Sequence, residues 1–455
     1  MTHDNTDLPS ARVVVLAAGK GTRMKSRTAK VLHPLAGRPF IEHCLTQAQR
    51  ATAAPPIVVV HPEAADLRGM LAGRCDVALQ AEQLGTGHAV RMAEAAAAGA
   101  GDVIVMYADM PLIRAETMQA MLHARRSSGA AVALTTLVTP NARGFGRIAR
   151  DAHGAVRAIV EEVDCTPEQL AIQEVNVGLY CFDGAWMWDA LRRVRANPHK
   201  GEYFLTDLAE IALADGRAVT AVVSADADEF IGINTRVDLA DAEAALRRRI
   251  NRAHMLNGVT IVDPATTYIA PDVVIGMDTT ILPNTHLQGA TRVGENCVIG
   301  PDSLLRDAVV GDDCHIEKSV VLESTLDAHV HMGPFSRLRP GCHVHSGVHI
   351  GNFAEAKNSD IGAGTHIGHF SYMGDADCGP GVNYGAGAIT CNYDGVNKHR
   401  TRIGAGAFVG SDTMLIAPVE MGPNSRTGAG SVVTKNVPPD SLAVGAPARV
   451  IKRGL

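Results

Sequence analysis

Asp109 follows an apolar run at 103–107, and Asn234 lies in IGINTR at 231–236. A carboxylate at the carboxyl end of a strand can hold Mg²⁺, a hard cation that takes oxygen ligands and keeps several waters. The side-chain oxygen of Asn234 offers a second ligand. Lys30 and Arg23 would stabilise charge on a reacting phosphate. Arg23 belongs to VVVLAAGKGTRM at 13–24, where Gly19 and Gly21 let backbone N–H groups approach an anion and Lys20 adds charge. This turn lacks the Gly-Lys-Ser/Thr ending of a P-loop and the G-x-G-x-x-G spacing of a dinucleotide fold. Taken alone it is also an ordinary strand-to-helix turn, as Asp109 alone is also a turn or N-cap carboxylate. GHFSY at 368–372 presents His369, whose imidazole titrates in the range a general base needs. The chain has 19 histidines, and any one taken at random is a solvated side chain. This supply leaves a zinc site open, although the histidines do not show paired ligand spacing.

Two periodicities supply the elements that must position these groups. Up to about residue 230, β-branched runs at 12–16, 57–61, 103–107 and 131–138 alternate with helical patterns at 39–50 and 87–98. Apolar strands separated by helices predict a mostly parallel sheet covered on both faces. From Ile269 the pattern changes: Ile269, Ile275, Ile281, Leu287, Val293, Ile299 and Leu305 fall six apart, often followed by Gly or another small residue. The frame shifts and resumes at Met332-Gly333, Ile350-Gly351, Ile361-Gly362, Ile367-Gly368, Ile403-Gly404 and Val409-Gly410. Such hexads predict a parallel β-helix of about ten coils, with the aliphatic inward and the next residue at a tight corner. Between the two patterns, apolar residues three or four apart over 237–256 predict a linker helix, with Arg247, Arg248 and Arg249 on a solvated face.

The net charge of −6 argues against nucleic acid or an anionic membrane as partner. Nine scattered cysteines without a CxxC pair read as reduced thiols. The segment MTHDNTDLPSARVVVLAAG has no leader pattern, and no apolar run is long enough to span a bilayer, so a cytoplasmic protein is expected.

The segment 16–24 with Lys30, LQAEQLGTGHA at 79–89, YADMPL at 107–112 and IGINTR resemble the signature of sugar-phosphate nucleotidyltransferases. The 79–89 wording is similar to the uridyltransferase acting on N-acetylglucosamine 1-phosphate. The resemblance implies an α/β Rossmann-like domain over 1–236, with a linker helix at 237–257. It implies that Leu16, Ala17, Ala18, Gly19, Gln80, Gly85 and Thr86 hold UTP. Gln80 would read the uracil edge with one donor and one acceptor. Tyr107 and Ala108 complete the site, Ala108 standing where the family has Gly. Gly146, Glu161 and Asn176 would hold the sugar ring, and Asp109 and Asn234 the Mg²⁺ that neutralises the triphosphate and the departing pyrophosphate.

The segments RLRP at 337–340, GNFAEAK at 351–357, GHFSY and TCNYDGVNKHRTR at 390–402 resemble the acetyltransferase half of the bifunctional uridyltransferase/acetyltransferase family. This implies an all-β left-handed parallel β-helix over 258–455 that acetylates glucosamine 1-phosphate with acetyl-CoA. The product, UDP-N-acetylglucosamine, feeds cell-wall and lipopolysaccharide precursors. His369 would be the base, oriented by Glu355. Arg339, Lys357, Tyr372 and Asn383 would bind the sugar phosphate, and Ala386, Asn392, Tyr393, Ser411, Ala429 and Ala446 the acetyl-CoA. Ala446 stands where a basic residue is expected, with Arg449, Lys452 or Arg453 as substitutes. The family forms trimers, and the 390–402 loop would reach a neighbour's site. Two alternatives remain: a single-activity nucleotidyltransferase with a regulatory β-helix, and a non-enzymatic scaffold. The His369 segment weighs against the first, and the Asp109, Lys30 and Asn234 set against the second.

Overall fold

The computed structural model describes residues 10–198 and 201–454. Residues 1–9 of the amino-terminal stretch on which the missing leader was read lie outside them. No helix among the described residues is long and apolar enough to cross a membrane. The chain divides into two compact units, Met1–Ala245 and Leu246–Leu455. The division falls inside the helix Arg236–Leu256, whereas the sequence suggested boundaries at its ends.

The first unit is built on a sheet in the order Val219–Ser224, Val132–Val138, Glu174–Asp183, Asp102–Tyr107, Ala11–Leu16, Ile57–Val60, Asp76–Leu79. Along this order only Glu174–Asp183 runs antiparallel to its neighbours, so the sheet is mostly parallel, as the sequence predicts. Val13, Val14 and Val15 are fully buried, as are all four residues of Ile57–Val60, which is why these strands read as unbroken apolar runs. The chain builds outward from Ala11–Leu16 through Ile57–Val60, then returns to its other side with Asp102–Tyr107. That reversal opens a crevice at the strands' carboxyl ends, where open α/β sheets take ligands. The helix expected at 87–98 is shorter, Thr86–Arg91. Beyond Arg91 the chain tightens into turns, with Ala93 bonded to Val90 O and Ala100 to Ala97 O. Ala93 and Ala97 are buried there, and packing outweighs helical propensity.

The second unit is a prism of three parallel sheets, each strand two to five residues long except at the carboxyl end. Ile281 stacks on Ile299, three hexads on. Val293 stacks on Val310, one residue short of that, which accounts for the frame shifts. All seven aliphatics of the in-frame run are buried, and the later ones extend the same core to Val437. Each contributes about 1.5–3 kcal/mol by leaving water. Glycine marks the corners because coils touch there: a Cβ on Gly351 would lie 2.0 Å from Gly368 O. The prism begins at Thr260–Ile261, before the Ile269 run. Of the three arginines assigned to a solvated face, Arg247 instead lays its guanidinium 4.7 Å from the Tyr268 ring centroid.

The 390–402 segment leaves and re-enters the prism beside itself. Ala376–Cys378 pairs directly with Thr401–Ile403, and Thr401 N–H donates to Asp375 O at 3.1 Å. The excursion closes as a small hairpin at Tyr393 and Lys398, and Arg400 ties its base to Asp377.

Candidate active sites

In the first unit, Lys30 and Asp109 come together from the two sides of the crevice. Lys30 Nζ donates to Asp109 Oδ2 at 2.7 Å and to Asn234 Oδ1 at 3.0 Å. Arg23 donates to the same Asn234 oxygen at 2.8 Å. Gly21 makes this possible: it is left-handed (φ 60°), and a Cβ would lie 2.6 Å from Lys30 Cβ. Two hard oxygens thus converge on one ammonium, so the donor set already accommodates a cation and fits Mg²⁺ with retained waters and phosphate ligands.

A cavity of about 250 Å³ opens beside this cluster. It gathers eleven of the expected residues: Leu16, Ala17, Ala18, Gly19 and Lys30 from the connection after the first strand, Gln80, Gly85 and Thr86 from the second, and Tyr107, Ala108 and Asp109 from the third. A second cavity of about 490 Å³ shares Thr86, Tyr107 and Asp109 and brings in Gly146, Glu161, Asn176 and Asn234. Lys20 is exposed and lines neither. Ala108 is buried with its amide bonded to Leu16 O, so its methyl group is absorbed by the core.

Several local devices hold this shape. Gly85 caps its short helix at φ 97°, where a Cβ would strike Tyr203 backbone atoms at 2.7 and 2.8 Å. Thr86 Oγ1 accepts from Leu205 N–H at 3.0 Å. A bulge at Asn176–Tyr180 swings Gly178 against the Tyr107 ring, and Asn176 donates to Tyr180 Oη at 2.6 Å. Burial pushes the Tyr107 phenol up to about 12. Asp207, beyond Thr206 of the second cavity, is raised to about 6 by burial, with Glu210 and Glu161 adding repulsion.

Gln80 departs from the role expected of it. Its amide nitrogen donates to Gly85 O at 3.2 Å and lies 3.1 Å from His88 Nδ1, so both N–H bonds are spent within the loop. Only the amide oxygen remains to accept from a base. Gln83, bonded to Ala18 O at 2.5 Å, Glu202 and Arg143 also line the cavities and were not anticipated. Gln83 lies inside the quoted 79–89 segment, whereas Glu202 and Arg143 carry no local motif.

On the prism, His369 stands at a corner. Its Nδ1 donates to Asn352 Oδ1 at 2.6 Å, which leaves Nε2 as the basic nitrogen. Asn352, one coil earlier, therefore orients the imidazole; Glu355, expected in that role, pairs with Arg339 at 3.2 Å. Phe353 and Phe370, beside Asn352 and His369, are left-handed at φ 57° and 47° and stack with Phe335 in an exposed ladder. Bulky residues in that region mark a strained corner.

Arg339, Lys357 and Tyr372 lie along one side of this corner, on successive coils of one sheet. Lys357 faces Lys398 of the 390–402 loop, and that neighbouring cation lowers its proton affinity. Lys398 was not anticipated. Asn383 belongs to the adjoining sheet, between His366 and Phe408. Ala386, Ser411 and Ala429 continue the His369 column coil by coil, with Asp412 N–H on Ala386 O and Gly430 N–H on Ser411 O. Asn392 is turned inward and bonded to Asp375, which removes its amide donor from the surface. Tyr393 is exposed and donates to Gly395 O at 2.6 Å. Ala446 sits at the exposed turn of a terminal hairpin, Ser441–Gly445 with Ala448–Arg453, whose return strand carries Arg449, Lys452 and Arg453.

Comparison with known proteins agrees with both units. Residues 13–175 match the MobA-like NTP transferase domain. Residues 272–307 match the bacterial transferase hexapeptide (six repeats), and 400–435 the hexapeptide repeat of succinyl-transferase. The bifunctional protein GlmU of Pelobacter propionicus is 45% identical over 451 residues, 98% of each chain. That of Geobacillus sp. (strain WCH70) is 45% identical over 440 residues, 96% of each, and that of Geobacter sulfurreducens 44% over 462 residues, 97% of each. With a nucleotidyltransferase crevice and a hexapeptide prism in one polypeptide, and this similarity running through both, the chain belongs to the bifunctional GlmU family.

Proposed function

We propose that the prism acetylates glucosamine 1-phosphate with acetyl-CoA, and that the first unit then joins the N-acetylglucosamine 1-phosphate to UMP from UTP, releasing pyrophosphate. The observation that carries this reading is His369, held through Nδ1 by Asn352. A β-helix with only a regulatory task has no use for an oriented, solvent-facing imidazole.

In the acetyl transfer, His369 Nε2 takes a proton from the substrate ammonium. The freed amine attacks the thioester carbonyl, the C–S bond breaks as the adduct collapses to the amide, and the second N–H proton passes to the departing sulfur so that CoA leaves as the thiol. Arg339, Lys357 and Lys398 supply positive charge for the phosphate, and Tyr372 and Asn383 flank the sugar. The column Ala386, Ser411, Ala429, with its small side chains, leads away from His369 as a path for CoA. Ala446 and the basic residues of the terminal hairpin lie at its far end.

In the uridyl transfer, a sugar phosphate oxygen attacks the α-phosphorus in line with departing pyrophosphate, and positioning does most of the work. Lys30 and Arg23 stabilise the charge that develops. The turn at 16–19 and Gly85-Thr86 cradle the nucleotide, with Gln80 Oε1 accepting from uracil. Gly146, Glu161 and Asn176 hold the sugar in the larger cavity. Asp109 and Asn234 would hold Mg²⁺, which neutralises the triphosphate when bound.

The same reading makes the protein cytoplasmic, in keeping with nine free thiols, and a homotrimer through its prism. The exposed ladder of Phe335, Phe353 and Phe370 is an apolar patch of the kind that subunit contacts cover. Incubation with glucosamine 1-phosphate, acetyl-CoA, UTP and Mg²⁺ tests the function. UDP-N-acetylglucosamine is expected by mass, and formation of neither intermediate nor product would overturn it.

A further inference from the structure

Away from the His369 corner, a third sheet of the prism carries a group of side chains that neither transfer reaction uses. His343 and His345 are two apart on one coil, so both point outward from the same face. Asp327 lies one coil before them and Asp360 one coil after: Asp327 N–H bonds to Val344 O, and Asp360 pairs with His343.

The four side chains form a layered arrangement. His343 Nε2 is 2.9 Å from Asp327 Oδ1, and His345 Nδ1 is 3.2 Å from Asp327 Oδ2. The other nitrogens face the opposite way. His345 Nε2 lies 3.1 Å from Asp360 Oδ1, and His343 Nδ1 lies 3.8 Å from Asp360 Oδ2. The two rings stand 4.0 Å apart between the carboxylates. One ligand atom each from Asp327, His343 and His345 can be chosen so that all lie within 4.8 Å of one another.

We propose that Asp327, His343 and His345 bind a divalent transition-metal ion of the zinc class, with Asp360 fixing the two imidazoles from behind. A tetrahedral zinc ion with bonds of about 2.0–2.1 Å sets its ligand atoms about 3.4 Å apart, so the present spacings need only small side-chain rotations. Two imidazoles and one carboxylate suit zinc, cobalt or nickel and disfavour the all-oxygen preference of Mg²⁺. Asp360 accepts a hydrogen bond from the far nitrogen of a ligating histidine, which selects the tautomer whose lone pair faces the metal. The ligand strands belong to a rigid stack, so the site is preorganised, and the half-exposed side chains leave a fourth position for water.

The test uses the full chain, freed of metal with a chelator and titrated with Co²⁺ in excess Mg²⁺. One Co²⁺ per chain is expected, with the visible d–d bands of a tetrahedral nitrogen–oxygen site and no thiolate charge-transfer band. His343→Ala and His345→Ala should each abolish those bands while far-ultraviolet circular dichroism and both transfer activities stay as in the parent. Asp360→Asn keeps all three ligands and should weaken Co²⁺ about tenfold or more, which decides the matter if a histidine variant fails to fold. Absence of the bands in the parent chain, thiolate-type spectra, or unchanged Co²⁺ binding in the variants would each overturn the proposal.

Discussion

Asn352 accepts the Nδ1 proton of His369 at 2.6 Å from the preceding coil of the prism. The bond fixes one tautomer and aims Nε2 outward. Asn352→Ala should lower kcat for acetyl transfer by about 10–100-fold with little change in KM, a loss of orientation within the range general-base catalysis supplies. Asn352→Asp should restore much of the rate and move the acid limb of the pH profile upward, because a carboxylate favours the imidazolium. Equal loss in both variants would remove Asn352 from the positioning role.

The two reactions should separate cleanly by mutation. His369→Ala is expected to cut acetylation by about 10²–10⁴-fold and leave pyrophosphate release from UTP and N-acetylglucosamine 1-phosphate intact. Asp109→Ala should do the reverse. Parallel loss of both activities in either variant would reject independent sites.

Gly85→Ala places a methyl group against the Tyr203 backbone at a φ of 97°. The expected cost is about 2–4 kcal/mol in stability, together with a raised KM for UTP, because the 85–86 turn lines the smaller cavity. Thermal melting and initial-rate kinetics check both. Gly19→Ala, which meets nothing within 4 Å, is the control for stability.

Lys357 and Lys398 share a phosphate-binding role if the proposed function holds. Each repels the other in the free protein, and a bound dianion would relieve that repulsion. Lys398→Ala should raise KM for glucosamine 1-phosphate about tenfold, the equivalent of about 1.4 kcal/mol, with kcat much less affected. The increase should shrink as salt screens the parent. A changed kcat at constant KM would refute it.

Asp207 makes the first unit sensitive to pH. Burial raises its folded pKa from 3.8 to about 6, so folding favours the protonated acid. The stabilisation is complete below the unfolded value and fades as pH rises through 6. Asp207→Asn, which keeps the shape and removes the charge, should therefore raise the melting temperature of the first unit by a few degrees, about 2–4 °C, at pH 7.5, and by much less at pH 4.5. An equal shift at both values would exclude linkage to Asp207.

Periodic and contiguous features were legible before the structure. The aliphatics at 269–305 could be read as a stack because each sits at a fixed phase and has one direction in which to be buried. The three turns that line the smaller cavity each carry their chemistry within a few residues. What escaped were relations that exist only between distant segments. Glu202 and Arg143 reach the cavities without any local signature. The exchange of Glu355 for Asn352 as partner of His369 followed from coil register, and the register was available: Asn352 follows Gly351 as His369 follows Gly368, one winding apart. For Gln80, the residue type reveals an amide's valence but not which of its hydrogen bonds the loop consumes. The ring of Tyr268 likewise claimed an arginine that a helical wheel assigns to water.

The prism closes behind its one long excursion as if nothing had been added, with Cys378 lying directly against Ile403. Elsewhere an extra residue must be absorbed by a corner, or the next aliphatic loses its footing. Here the surplus is tied off outside the winding, anchored at the base by Arg400 on Asp377. Length and wording of this appendage are thereby uncoupled from the soundness of the scaffold. Evolution, or a protein engineer, can rewrite the loop without reopening the question of whether the spool will wind.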